Sequence, residues 1–405
     1  MKTYLKLLAS TALILAGYCV FFALSRGNQV SFFADPGGYD YQAYASMTSS
    51  SLLHNEAQPP YDRRVLMPLL VKGLMLLGIP RVNSFLLISF GASLAGAALC
   101  FRYLTVLGFR EGVAFAGATL FTSCAGGFST LRCYGVPDAL VNLLILSALV
   151  SALSGWFWPT VLSLILLALA KPWTEVLLLP ALLALSTRPW SWVRILVLAA
   201  IPLLTNFGVK FVSAPKPHFS YLSAENLAAV YGSVDAGSIG RLLKACALGA
   251  GYSLGPLWLV ALAQVRKAKS FSLTMLTYAI PFLAPLALAT DTERMLNLFF
   301  PVVLPLCAVA LVRLEHQPQR QRALIAILVA CTVGSQLTIY GRGGWRILIC
   351  LCLVVLPVLW VWHLGRGRAA LGSAAEGEMI KVKPVTTLRQ FITRIIPHKE
   401  AATRP

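Results

Sequence analysis

Asp40 stands inside Tyr39-Asp40-Tyr41-Gln42-Ala43-Tyr44, and the same polar stretch ends in Tyr61-Asp62-Arg63-Arg64. A carboxylate set among tyrosines can act as a general base, its ionisation tuned by how far it is buried. Guanidinium is the favoured fork for phosphate oxygens, so Arg63 and Arg64 suit an anionic group. Together these residues carry the elements of chemistry on a charged lipid. Each also has a structural role open to it. Asp40 could N-cap a helix over 41–53, and the arginines could anchor headgroups or pair with Asp62. Asp35, ahead of Pro36-Gly37-Gly38, reads first as a turn residue.

Three later stretches carry similar groups. Lys171-Pro172-Trp173 interrupts two apolar runs and is followed by Glu175. An ionisable residue at that depth is a functional candidate by default, although Lys171 and Glu175, spaced one helical turn apart, can also pair. Arg294 in Asp291-Thr292-Glu293-Arg294 could neutralise an anionic leaving group, or close a salt bridge with Glu293 or Asp291. Arg132 and Asp138 bracket another polar loop, where Asp138, following Pro137, also marks a helix start.

The elements that must position these groups are helices in a membrane. Of the 405 residues 58% are hydrophobic and 12% charged, with mean hydropathy +0.74, against about 25% charged in soluble domains. Lipid leaves backbone groups no partner outside their own segment, and runs of ~20 apolar residues without alternating strands exclude a barrel. The expected fold class is therefore all-α: a polytopic transmembrane helical protein. A first apolar run over 7–24 is too long for a signal-peptide core and lacks a good cleavage site, so it reads as a retained helix. Further runs lie at 83–103, 112–124, 138–153, 157–170, 173–185, 192–212, 244–264, 271–290, 295–313, 323–340 and 345–363. They make about twelve spans with both termini inside, the shorter ones needing extension or a thinned bilayer.

Residues 1–363 form the expected transmembrane domain, with an outer loop over 26–82 that carries surface helices. The run at 65–80, interrupted by Pro68, Lys72 and Gly78, is too short to span and reads as one of these. Residues 364–405 form a basic cytoplasmic tail. Within it, 385–397 places apolar residues at helical spacing opposite Arg389 and Arg394, as in an interfacial helix; an unstructured tail is the equal alternative.

The net charge of +19 does not point to nucleic acid, because the basic residues sit in short loops and the tail, where anionic lipids attract them. With the tail set aside, positive charges nearly balance between the two sides, so they do not fix orientation. The nine cysteines are scattered, without CxxC metal spacing, and Cys124 with Cys133 is the one pair that could form a disulfide. Under the twelve-span topology Asp40, Arg63, Arg64, Arg132, Asp138, Lys171, Glu175 and Arg294 all fall on the outer face. A pore would spread such groups through the bilayer depth.

Tyr39–Tyr44 and Tyr61-Asp62-Arg63-Arg64-Val65-Leu66-Met67-Pro68-Leu69-Leu70 resemble the first outer loop of bacterial GT-C superfamily glycosyltransferases, in a branch with a YDGQFY segment and a YRYRRILYPLL segment. Tyr41 departs from that pattern where it has Gly, and Ala43 where it has an aromatic residue. Lys171 resembles a lysine that precedes a Pro-containing helix there, and Glu293-Arg294 a late Glu-Arg pair. The resemblance implies a GT-C-like fold in the bacterial inner membrane and a polyprenyl-phosphate-sugar donor in the outer leaflet. Asp40 would deprotonate the acceptor, and Arg63, Arg64, Lys171 and Arg294 would hold the lipid phosphate. Asp35, Arg132, Asp138, Glu175 and Glu293 are secondary candidates. A divalent metal stays open, since some members use one and others do not, and neither sugar nor acceptor is implied. The competing expectation is a transporter or flippase of a lipid-linked or anionic solute. An internal inverted repeat would favour it, and none is visible in the sequence.

Overall fold

A computed structural model describes residues 2–25, 38–50, 52, 57, 61–187, 190–213, 253–288 and 292–338. The described residues are helical, with no strand among them. In chain order the helices are α1 Lys2–Ser25, α2 Gly38–Ser49, a 3-10 turn Tyr61–Arg63, α3 Leu66–Leu76, α4 Arg81–Val106 and α5 Glu111–Ser123. Then come α6 Phe128–Arg132, α7 Asp138–Leu153, α8 Phe157–Ala170, α9 Thr174–Leu185 and α10 Trp192–Val212. The last five are α11 Leu257–Val265, α12 Lys269–Leu288, α13 Thr292–Asn297, α14 Phe300–Arg313 and α15 Pro318–Thr338.

Two of these, α4 and α10, are long and apolar enough to cross a membrane. Half of the apolar stretch of α4 is buried inside the protein, against about a tenth of that of α10. The other apolar helices are shorter. The expected continuous run at 295–313 is instead broken: α13 stops at Asn297 and α14 begins at Phe300. Of the run expected at 244–264 the described part is the end, in α11. The runs at 345–363 and the whole tail 364–405 lie outside the described residues.

The helix at the centre is α7, packed on α4, α8 and α9. Nearly all its side chains are buried, which is why its sequence is apolar all round instead of striped. Asn142, a buried amide in this helix, donates to the Ala125 carbonyl at 2.9 Å. Small residues let the neighbours approach closely. Gly117 of α5 faces Leu104 of α4 where a Cβ would collide, and at Gly127 a Cβ would run into the Thr122 carbonyl oxygen. That second contact is with backbone, so the turn between α5 and α6 requires glycine.

Contacts between helix ends define two poles. At one, Thr3 of α1 donates to Glu111 at the start of α5, Arg110 pairs with Glu315, and Arg194 lies over the Phe157 ring. At the other, α2, the 3-10 turn and the starts of α4, α7, α9 and α13 meet. Arg81 donates to Ser49 Oγ at 2.9 Å, and Lys72 caps the end of α2 through the Ser50 carbonyl at 3.0 Å. Helix α3 buries Leu66, Met67, Pro68 and Val71 while Leu69, Leu70, Leu76 and Leu77 stay exposed. A short helix is therefore present within the stretch 65–80, with narrower bounds than the surface helix expected there.

Candidate active site

The second pole gathers charge from five places in the chain. Asp40 lies in the first turn of α2, where an acid complements the helix dipole; it is the third residue of the helix and not its N-cap. Its Oδ1 accepts from the Tyr61 hydroxyl at 2.7 Å, and its Oδ2 accepts from Arg294 Nη1 at 2.6 Å. The same guanidinium turns its Nε to Asp138 Oδ2, also at 2.6 Å. Lys171 Nζ stands 3.8 Å from Asp138 Oδ1. Arg64, buried, donates from Nη1 to the Tyr44 hydroxyl at 3.0 Å and lies 5.2 Å above the Tyr61 ring. Tyr44 and Tyr61 meet edge-on at 5.8 Å, so the Arg64 shell and the Asp40 shell share the Tyr61 side chain.

Each charged group is placed by structure that its own residues cannot supply. Asp138 opens α7 behind Pro137, and the segment before it is pinned to α4. Ser89 donates to the Tyr134 carbonyl at 2.8 Å, and Ser93 hydrogen-bonds Thr130 at 3.1 Å. Arg294 rides on the six-residue helix α13, whose exit is held by Tyr278, donating to the Leu298 carbonyl at 2.6 Å. Tyr103 of α4 similarly donates to the Pro301 carbonyl at 2.9 Å.

Lys171 ends α8 in a turn that runs into Trp173 at φ 75°, the one non-glycine residue with positive φ among the described residues. A bulky residue in that region stores backbone strain of roughly 1–3 kcal/mol, and the strain lies two residues from the lysine beside Asp138.

The tyrosines stay neutral. Burial, and then the hydrogen-bonded Asp40 carboxylate, push the Tyr61 phenol above its ordinary value. Burial likewise raises Tyr44 against the opposing effect of Arg64. A raised phenol stabilises the fold fully below the unfolded value near 10, and that contribution is lost as pH rises beyond it. Tyr61→Phe should therefore cost about 1 kcal/mol at neutral pH and flatten part of the alkaline loss of stability. Thermal unfolding of the detergent-solubilised protein between pH 7 and 11 measures both, and an unaltered alkaline limb would assign the effect to other groups.

The structure thus brings together Asp40, Arg64, Asp138, Lys171 and Arg294. Arg63 instead meets its neighbour Asp62 at 3.9 Å and is partly exposed. Arg132 closes α6, half-buried. Lys171 faces Asp138 and not Glu175, and Arg294 is held by carboxylates from α2 and α7; its pairing with Asp291 or Glu293 falls on side chains outside the described residues. Glu175, fully buried, accepts from Asn206 of α10. Asp35, Asp291 and the side chain of Glu293 lie outside the described residues. The Cys124–Cys133 disulfide is not formed, and Cys124 is buried with Sγ toward the Leu120 carbonyl at 2.9 Å.

Tyr44, Tyr61 and Asn206 were not singled out from the sequence as site residues. Nothing in the spacing of the tyrosines pairs them with Asp40 or Arg64. Asn206 did carry a signal, being an amide in an otherwise apolar helix.

Chemically, Asp40 and Asp138 share this cluster with Arg64, Lys171 and Arg294, three cations that can meet an anionic guest. Among the described residues the donor set does not suit a divalent metal. Asp40 and Asp138 both spend an oxygen on Arg294, and among the described residues no three His, Cys, Asp or Glu side chains cluster. A metal would have to displace a guanidinium. No family model, curated protein or solved structure matches this chain.

Proposed function

We propose that this protein is a polytopic enzyme of the bacterial inner membrane, with a GT-C-like fold of about twelve spans. It moves a sugar from a polyprenyl-phosphate donor to an acceptor at the outer face. The observation that carries this reading is the bridge Asp40–Arg294–Asp138, flanked by Lys171 and Arg64. Attack of the acceptor hydroxyl on the anomeric carbon breaks the bond to the lipid phosphate, whose leaving oxygen gains negative charge. Preorganised cations at that position stabilise such charge by about 3–4 kcal/mol. Asp40 is the base. With both of its oxygens engaged at rest, it becomes free when an incoming phosphate draws Arg294 away. Asp138 and Lys171 hold the guanidinium and the phosphate in register.

The double engagement of Asp40 also favours a second reading, a transporter or flippase that binds a lipid phosphate without a base. The two part on product: the enzyme releases polyprenyl phosphate from a polyprenyl-phosphate sugar, whereas the transporter moves the intact lipid between leaflets.

Native mass spectrometry of the purified protein with undecaprenyl phosphate tests the shared premise. Binding should weaken about tenfold in Arg64→Ala and survive in Asp40→Asn. Equal binding of undecaprenyl phosphate and phosphatidylglycerol by wild type would reduce the arginines to headgroup anchors.

A further inference from the structure

Glu175 is fully buried in the first turn of α9 and takes no part in the bridge Asp40–Arg294–Asp138. Its Oε1 accepts from Nδ2 of Asn206 on α10. Its Oε2 closes no hydrogen bond among the described residues, and the backbone N–H groups of Trp173 and of Glu175 itself turn toward the carboxylate. Burying a carboxylate is costly unless something offsets it. Here the offset is one amide from α10 and the positive end of the α9 dipole.

The residue that Glu175 turns back to is an unusual N-cap. Trp173 brings no side-chain acceptor to the start of α9 and stands at φ 75°, ψ −17°. In a capping box an acid inside the first turn reaches back to the N-cap amide. Glu175, two residues past the N-cap, is placed to act in that way. A bulky residue persists in the left-handed region only where its surroundings over-determine it. A carboxylate fixed from the far side by Asn206 is such a restraint.

The same turn sets Lys171. The lysine leaves α8 at φ −153°, and the Thr174 N–H closes the turn on its carbonyl at 3.3 Å. Its side chain is buried and stands 3.8 Å from Asp138 Oδ1, a separation that tolerates little further movement.

We infer that Glu175 is a positioning residue: with Asn206 it holds the left-handed turn at Trp173, and through that turn it keeps Lys171 on Asp138. It acts through the lysine and touches no substrate itself. The consequence for lipid-phosphate binding rests on the reading proposed above; the placement of Lys171 does not.

The test is a cycle of Glu175→Ala and Trp173→Gly in the full-length protein in detergent. Glycine adopts φ 75° without steric cost, so Trp173→Gly removes the need for the restraint. One readout is acetylation of Lys171 by an N-hydroxysuccinimide ester, mapped by peptide mass spectrometry with Lys72 as internal reference. The other is binding of undecaprenyl phosphate by native mass spectrometry. Glu175→Ala should speed acetylation of Lys171 about fivefold, the effect of losing a helix cap, and weaken binding by a similar factor. Adding Trp173→Gly should return both toward wild type. Adding Trp173→Ala instead, which removes the indole but keeps a Cβ, should not. Asn206→Ala should shift Lys171 in the same direction and be rescued in the same way, and it carries the test if Glu175→Ala does not fold. Failure of Trp173→Gly to rescue either variant overturns the inference and leaves Glu175–Asn206 a clamp between α9 and α10. So does a rise in acetylation that Lys72 shares equally, since that is loosening of the whole protein. If wild type does not select undecaprenyl phosphate over phosphatidylglycerol, the lipid-phosphate reading falls, and the acetylation cycle still decides the placement of Lys171.

Discussion

Asp40→Asn is expected to abolish sugar transfer, with a loss of ~10²–10⁴, while the protein stays folded. The magnitude is that of a general base removed from a reaction that needs one. The amide keeps the shape of the carboxyl, so its oxygen can still accept from Tyr61 or from Arg294, and Arg294 retains Asp138. The negative charge is what disappears. Release of polyprenyl phosphate from a polyprenyl-phosphate sugar reads the chemistry, and lipid-phosphate binding reads the site. The expected pattern is lost release with retained binding. Transfer at the wild-type rate would take the base role from Asp40 and pass it to Asp138 or Asp35. Retained lipid movement in a protein that never releases polyprenyl phosphate would decide for the transporter.

Arg294→Ala should be worse for the protein as a whole, because one side chain serves two acids. Asp40, Asp138 and Arg294 are each less than a quarter exposed, so the bridge is largely shielded from solvent. Removing its cation leaves two carboxylates facing a gap, with Lys171 beside only one of them. Breaking a buried pair costs about 3–5 kcal/mol; partial exposure argues for the lower end, about 3 kcal/mol. Transfer should fall by ~10²–10³ in addition, through loss of the leaving-group cation. Adding Asp138→Asn to Arg294→Ala should return part of the stability and none of the transfer, since it removes one stranded charge without supplying a cation. Arg294→Lys keeps the charge but lacks the planar fork that reaches both acids from Nε and Nη1, so it should fold better than the alanine variant and still transfer poorly. A thermal midpoint for Arg294→Ala equal to wild type would show that the bridge contributes no net stability.

The helical class was legible from composition alone, because a chain this apolar has few other ways to pair its backbone. Elements such as 138–153, 157–170 and 192–212 were legible to the residue, since Pro137, Gly155 and Ser191 punctuate long apolar runs. The break at Leu298–Phe299 was not. Its apolar sequence reads as continuous helix, and the interruption is held by the hydroxyl of Tyr278 from another helix. Most of the charged residues now at one pole were likewise visible as candidates, because charge is rare enough in such a chain to stand out.

Their partners were not visible. Local spacing suggested Lys171 with Glu175 and Arg294 with Glu293, pairs that need only one turn of helix. The structure joins Lys171 to Asp138, and Arg294 to Asp40, 254 residues away, and to Asp138, 156 residues away. Such distances in sequence are set by how α2, α7 and α13 pack, which depends on the summed fit of many apolar side chains and small residues such as Gly117. Residue types and their periodicity therefore determined the helices, their approximate ends and the chemistry available. Which acid holds which cation, which tyrosine covers Asp40, and which face of α10 is left open were decided by the packing of helices far apart in the chain.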